Sequence, residues 1–143
     1  MTRSDVVERQ VRIDARPEIV FEFFTDPAKM IRWKGVEAKL EPQPGGVYRV
    51  VMNEAQYVAN GTFVELVPHS KIVFTWGWEG SSDVPPGSST VEVTLTPDGD
   101  GTMLRLIHSG LPVPALAAHG EGWDKFLPRL ATVAAGGEVP TDA

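Results

Sequence analysis

The chain has 143 residues, 42% of them hydrophobic and 22% charged, with a formal net charge of -6. That length supports one domain with a sizeable core, and the composition sets it apart from disordered chains. An acidic balance with no basic run lacks the clustered Lys and Arg that phosphate contacts need, so no nucleic-acid partner is expected.

There is no Cys, which removes disulfides and thiolate chemistry. The start, MTRSDVVERQ, carries charges where a secretory signal would need an apolar core. No apolar run approaches the roughly 20 residues of a membrane span. A cytoplasmic protein is expected, with one domain over residues 1–135 and a flexible tail over 136–143.

Val7 to Asp14 alternates apolar and polar residues and reads as a half-buried strand. Pro17 suits a first helical turn, and Val20, Phe21 and Phe24 recur at helical spacing. Asp26-Pro27 restarts a second short helix, with Asp26 as its cap, and the pair of helices is expected to run as far as Trp33. Strands follow over Val36–Glu41 and Val47–Met52, parted by the turn signal Pro44-Gly45-Gly46.

Tyr57–Val67 is a further strand, in which Gly61 predicts a bulge or bend. Its inward set stays open between Tyr57/Phe63 and Val58/Val64. Lys71–Trp78 places Ile72, Phe74, Trp76 and Trp78 on one face. After a Gly-, Ser- and Pro-rich loop, Ser89–Thr96 and Thr102–Ser109 complete an antiparallel sheet of about seven strands.

The last quarter, Leu111 to Val133, predicts one long helix. Its apolar stripe is Val113, Leu116, Gly120, Trp123, Leu127, Leu130 and Ala134. Gly120, Gly122 and Pro128 weaken that helix, so packing must hold it, and Pro128 is expected to kink it. A single long helix and one sheet bury their apolar faces against each other. The fold class is therefore α+β, with space for function between the layers.

Several segments carry a specific likeness: I-D-A-R-P-E-I-V-F-E-F-F-T-D-P at 13–27, Trp33, P-G-G-V-Y-R at 44–49 and G-T-F-V-E-L-V-P at 61–68. To these add K-I-V-F-T-W-G-W at 71–78, G-T-M-L-R-L-I-H-S-G-L at 101–111 and H-G-E-G-W-D-K-F-L-P-R-L-A at 119–131. In this order they resemble the SRPBCC (START-like) superfamily. The nearest branch is the one similar to the C-terminal domain of activators of the 90-kDa heat-shock-protein ATPase. The resemblance implies a helix-grip fold, a curved sheet around the C-terminal helix with a deep hydrophobic cavity between them.

Trp76, Trp78 and Trp123 are the largest apolar surfaces and the first candidates for ligand-binding walls. Tyr48, Met52, Phe63, Val93 and Leu127 are candidates of second rank, each also suited to plain core packing. His108 is in register with Leu104 and Leu106 and should point inward, either to meet a polar ligand end or to bond a neighbour. His119 sits one helical turn before Trp123 and is expected to be structural. These histidines have no third ligand at a familiar spacing, so no metal and no cofactor are expected. Glu22, Asp26, Glu65 and Glu92 read as capping or solvent-facing carboxylates.

The leading expectation is non-catalytic binding of a small hydrophobic organic molecule or lipid in the cavity between sheet and helix. One alternative is a chaperone-ATPase-activator-like interaction module, with a chaperone or a second copy of the chain (a homodimer) as partner. The other is a cyclase- or hydrolase-type enzyme using His108 with a cavity carboxylate or tyrosine.

Overall fold

Period-two alternation yields seven strands that pair into one antiparallel sheet. The computed structural model describes residues 6–52 and 57–137. In chain order the elements are β1 (Val6–Ile13), α1 (Pro17–Thr25), α2 (Pro27–Met30), β2 (Glu37–Leu40), β3 (Val47–Val51), β4 (Val58–Val67), β5 (Lys71–Trp76), β6 (Ser89–Asp98), β7 (Gly101–Ser109) and α3 (Val113–Ala134). The spatial order is β1-β7-β6-β5-β4-β3-β2, so the first strand closes beside the last. The sheet curves around α3, which makes this a helix-grip fold of the α+β class. No helix among the described residues is long and apolar enough to cross a membrane.

The short helices form as their residues dictate. Pro17 opens α1, whose Val20, Phe23 and Phe24 are buried. The Asp26 carboxylate accepts from Ala28 N at 2.9 Å and caps α2, with Pro27 in its first turn. Trp33 lies beyond α2 in a turn. Its indole N–H donates to Phe23 O at 3.0 Å and ties that turn to α1.

Four expectations need correction. β5 ends at Trp76, because a Cβ on Gly77 would lie 1.8 Å from Pro85 O, where the following loop folds back on it. Trp78 instead makes an isolated bridge to Ala59, and its backbone N–H donates to Val84 O at 2.7 Å. β6 continues through Pro97 to Asp98. β5 pairs with β6 only as far as Thr94, so Pro97 lies on an open edge where its missing donor is harmless.

α3 begins at Val113, and that residue is 66% exposed, so the first position of the expected stripe lies off the sheet. In β4 the inward residues are Ala59, Gly61 and Phe63, Tyr57 shares their side at the half-exposed mouth of the sheet, and Val64 faces outward. The register irregularity falls between Phe63 and Glu65. Gly61 serves a different need, since a Cβ there would sit 1.9 Å from Thr75 O of the adjacent strand.

α3 remains one helix through Pro128, with Trp123, Phe126, Leu127, Leu130, Val133 and Ala134 buried against the sheet and α1. Thr132 Oγ1 donates to Pro128 O at 3.0 Å. Buried Gly120 lies beneath the Arg9 guanidinium, which reaches across from β1 to Asp124 at 2.7 Å. Of the expected tail, residues 138–143 lie outside the described residues.

Candidate ligand pocket

A pocket of about 520 Å³ opens between α3 and the C-terminal end of β5. Trp76 lines it from β5, Trp78, Glu79, Gly80 and Ser81 from the loop that follows, and Met52 and Tyr57 from the flanks of β3 and β4. From α3 come Ala118, His119, Gly122, Trp123 and Phe126, and from the turn after α2 comes Lys34.

The aromatic wall is continuous. Trp76 packs edge-on against Trp78 with ring centroids 5.3 Å apart and lies tilted against Trp123 at 5.8 Å. Tyr57 meets Trp78 edge-on at 6.2 Å. Such tilted arrangements match the quadrupoles of the rings and hold the wall rigid.

Both histidines are held neutral by indole donors. The Trp123 N–H donates to His108 Nδ1 at 3.1 Å, so the proton of this imidazole sits on Nε2, where it meets Ser89 Oγ at 2.8 Å. The Ser89 hydroxyl passes the chain on to Trp76 O at 2.8 Å. Burial, followed by the nearby His119 and Lys34, pushes the His108 pKa down to about 3. The Trp78 N–H likewise donates to His119 Nε2 at 3.0 Å, and His119 Nδ1–H donates to Ala115 O at 2.9 Å. Burial lowers the pKa of His119 as well, against the opposing pull of the Ala115 carbonyl.

Glu79 is the carboxylate on the wall, and it is already engaged. It accepts from Arg49 Nε at 2.8 Å and from Asn60 Nδ2 at 2.6 Å. Those bonds hold its carboxyl below the usual range. Glu22 pairs with Lys29, Glu65 with Lys71 and Asp26 with the start of α2, all away from the pocket.

Two donors on the wall have no partner among the described residues, Lys34 Nζ and Trp76 Nε1. Lys34 is 2% exposed, and its Nζ lies 3.7 Å from the Trp76 ring centroid and 4.5 Å from that of Trp123. Burial drives its ammonium well below the usual lysine pKa. The local fold puts it there. Lys34 N donates to Met30 O at 3.0 Å, and Gly35 takes φ +83° to turn the chain into β2. A Cβ on Gly35 would lie 2.5 Å from Val50 Cγ1, so only glycine fits that turn against β3.

Of the residues singled out in the sequence, the structure brings Trp76, Trp78, Trp123 and Met52 together on the pocket wall. His108 lies behind the wall, fully buried and bonded to Ser89 and Trp123. Tyr48 is also off the wall, stacked on Phe74 with centroids 4.1 Å apart, and burial raises its phenol pKa. Phe63, Val93 and Leu127 are core residues packed between the layers. Lys34, Glu79, Tyr57 and Phe126 line the pocket without having been singled out, and His119 does so although it reads as structural. For Lys34 the one usable signal is its place between a large aromatic and a glycine in Trp33-Lys34-Gly35.

The helix-grip architecture with an aromatic-walled pocket defines an SRPBCC-type domain. Residues 14–135 match the Activator of Hsp90 ATPase homolog 1-like protein family, and the chain belongs to that family. No protein with a curated description matches it. It is 49% identical to an AHSA1-like protein of Rhizobium etli, covering 94% of this chain and 85% of that one, with a TM-score of 0.74.

It is 26% identical to DynU16, a protein in the dynemicin biosynthetic locus, with a TM-score of 0.81 over 96% of this chain. The match spans 49% of the DynU16 chain, so this chain corresponds to about half of that protein. CalU16 of Micromonospora echinospora is 28% identical over 92% of this chain and 76% of its own, with a TM-score of 0.74.

Proposed function

We propose that this domain is a binding protein for a small, largely apolar organic molecule held between α3 and the C-terminal end of β5. The observation that carries the reading is the pocket of about 520 Å³ walled by Trp76, Trp78, Trp123 and Phe126. Its size lies within the range of about 300–1,000 Å³ typical of small-molecule sites, and a mostly apolar wall with few polar groups is the usual pattern. Aromatic faces supply stacking area, and the edge-on packing keeps them in place without a ligand. The similarity to DynU16, a protein in the dynemicin biosynthetic locus, accords with small-molecule work.

The test uses N-phenyl-1-naphthylamine, a neutral apolar dye whose fluorescence rises on leaving water. The wild-type protein should enhance its emission saturably. Gly122 lines the pocket, and a side chain there meets open space. Gly122→Leu should therefore keep the fold, with up to about 1 kcal/mol gained in helix propensity. The same change should weaken dye binding by about tenfold or more, roughly 1.4 kcal/mol. No enhancement by wild type, or equal binding by a folded Gly122→Leu protein, would refute the pocket as a ligand site.

A further inference from the structure

We propose that the molecule this pocket takes is an apolar organic acid, its carboxylate seated against Lys34 Nζ and the Trp76 indole N–H. The body of the ligand would lie along Trp78, Trp123 and Phe126. This inference rests on the pocket being a ligand site and adds the chemical class of the ligand.

Most polar groups on the wall already have partners. The Trp78 N–H is matched to His119 and the Trp123 N–H to His108. His119 is engaged at both nitrogens, and Glu79 is engaged by Arg49 and Asn60. What is left over is two buried donors on touching side chains, Lys34 Nζ and Trp76 Nε1. Their complement is an acceptor. A carboxylate supplies two oxygens, one for each donor.

Charge selects the carboxylate over a neutral carbonyl. The titratable groups around Lys34 are His108 from β7, His119 from α3 and Glu79 from the loop after β5, and Arg129 of α3 donates to the carbonyl of neighbouring Trp33 at 3.3 Å. Both imidazoles are held neutral, and the Glu79 charge is spent on Arg49. Lys34 thus has no counter-ion from these groups, and burial disfavours its charged form. An entering carboxylate provides the counter-ion, and the amine takes up one proton to complete the pair. The protonated amine then keeps the ring faces of Trp76 and Trp123 as further support.

The experiment compares 2-naphthoic acid with 2-naphthamide, matched in shape and differing in charge. Binding is followed by tryptophan fluorescence and by calorimetry at pH 7 in two buffers of different ionisation enthalpy. Wild type should bind the acid about tenfold or more tighter than the amide. It should take up protons on binding the acid and none on binding the amide. Lys34→Met should bring the two affinities to within about threefold of each other and abolish the proton uptake. Acid and amide bound equally by wild type would leave the pocket standing and overturn the acid. A preference that survives Lys34→Met would do the same. Reductive trapping of 2-naphthaldehyde on Lys34, together with no preference for the acid, would assign carbonyl capture instead and also overturn it. Failure of both naphthyl compounds and of the neutral dye would remove the pocket reading and this inference together.

Discussion

Replacing Lys34 by Met should make the free protein more stable, by an amount that depends on pH in a defined direction. Wild type buries Nζ with no acceptor among the described residues, and leaving a buried donor unmatched costs about 1–3 kcal/mol. Methionine has comparable length and no donor, so Lys34→Met should recover most of that near pH 10.5 and more than that at pH 7. A domain of this size should show a rise in Tm of roughly 4 °C per kcal/mol. The sign of the pH dependence follows from linkage. Lys34 titrates well below 10.5 in the folded state, so below pH 10.5 the unfolded chain binds the extra proton. Wild type therefore loses stability relative to the variant as pH falls from 10.5 toward the folded pKa, with a slope approaching about 1.4 kcal/mol per pH unit. Urea unfolding of both proteins between pH 7 and pH 10 measures the difference directly, because titrations common to both cancel. The advantage of Lys34→Met should shrink as pH rises. Parallel curves, or a variant less stable than wild type at pH 7, would refute the assignment of Lys34 as a buried, unmatched amine.

Two further changes test the frame around the pocket. With a folded pKa of about 3 against 6.5, His108 should cost wild type about 2 kcal/mol of stability between pH 7 and pH 5, since the unfolded chain is the form that gains the proton. His108→Gln should remove that acid-side loss while costing about 1–3 kcal/mol at pH 7 through weakened bonds to Ser89 and Trp123, as read from urea midpoints at the two pH values. Gly35→Ala should destabilise by about 2 kcal/mol or more, because φ is +83° and the new Cβ would crowd Val50 and Val51. Chemical denaturation measures that loss, and a neutral result would mean the turn carrying Lys34 is not fixed by Gly35.

The fold was legible because it is written in periodicity. Alternation in Val7–Ile13 and Ser89–Leu95 and the three-four spacing of Trp123, Leu127 and Leu130 survive in the structure with little change. Errors fell where a long-range contact overrides the local pattern, as at Gly77, where Pro85 returns across the strand, and at Val113, where α3 has not yet reached the sheet. The site was legible only in part, since periodicity gives the inward face and says nothing of depth. Trp76 and Phe63 both face inward, yet Trp76 lines the pocket and Phe63 lies in the packed core. For Lys34 the sequence carries only its place between Trp33 and Gly35, which does not reveal burial. A lysine in a turn reads as solvent-facing, and its burial is made by Trp76 and Trp123, which are remote in sequence.

The histidines show why chemistry in this pocket converges on one amine. An imidazole acts as a general base only if it has a free lone pair, and here each lone pair is filled by an indole N–H of the wall itself. Those two bonds consume the polar capacity of Trp78 and Trp123, leaving their rings as apolar surface. They also hold neutral both imidazoles nearest Lys34. Trp76 is the exception. Its ring joins the same wall, but His108 and His119 are already taken and its N–H stays unmatched beside Lys34. A wall that satisfies its own acceptors and leaves two adjoining donors open favours a ligand with an anionic oxygen over one with a donor. The same arithmetic disfavours cationic ligands, which would face the Lys34 amine without a free carboxylate to receive them.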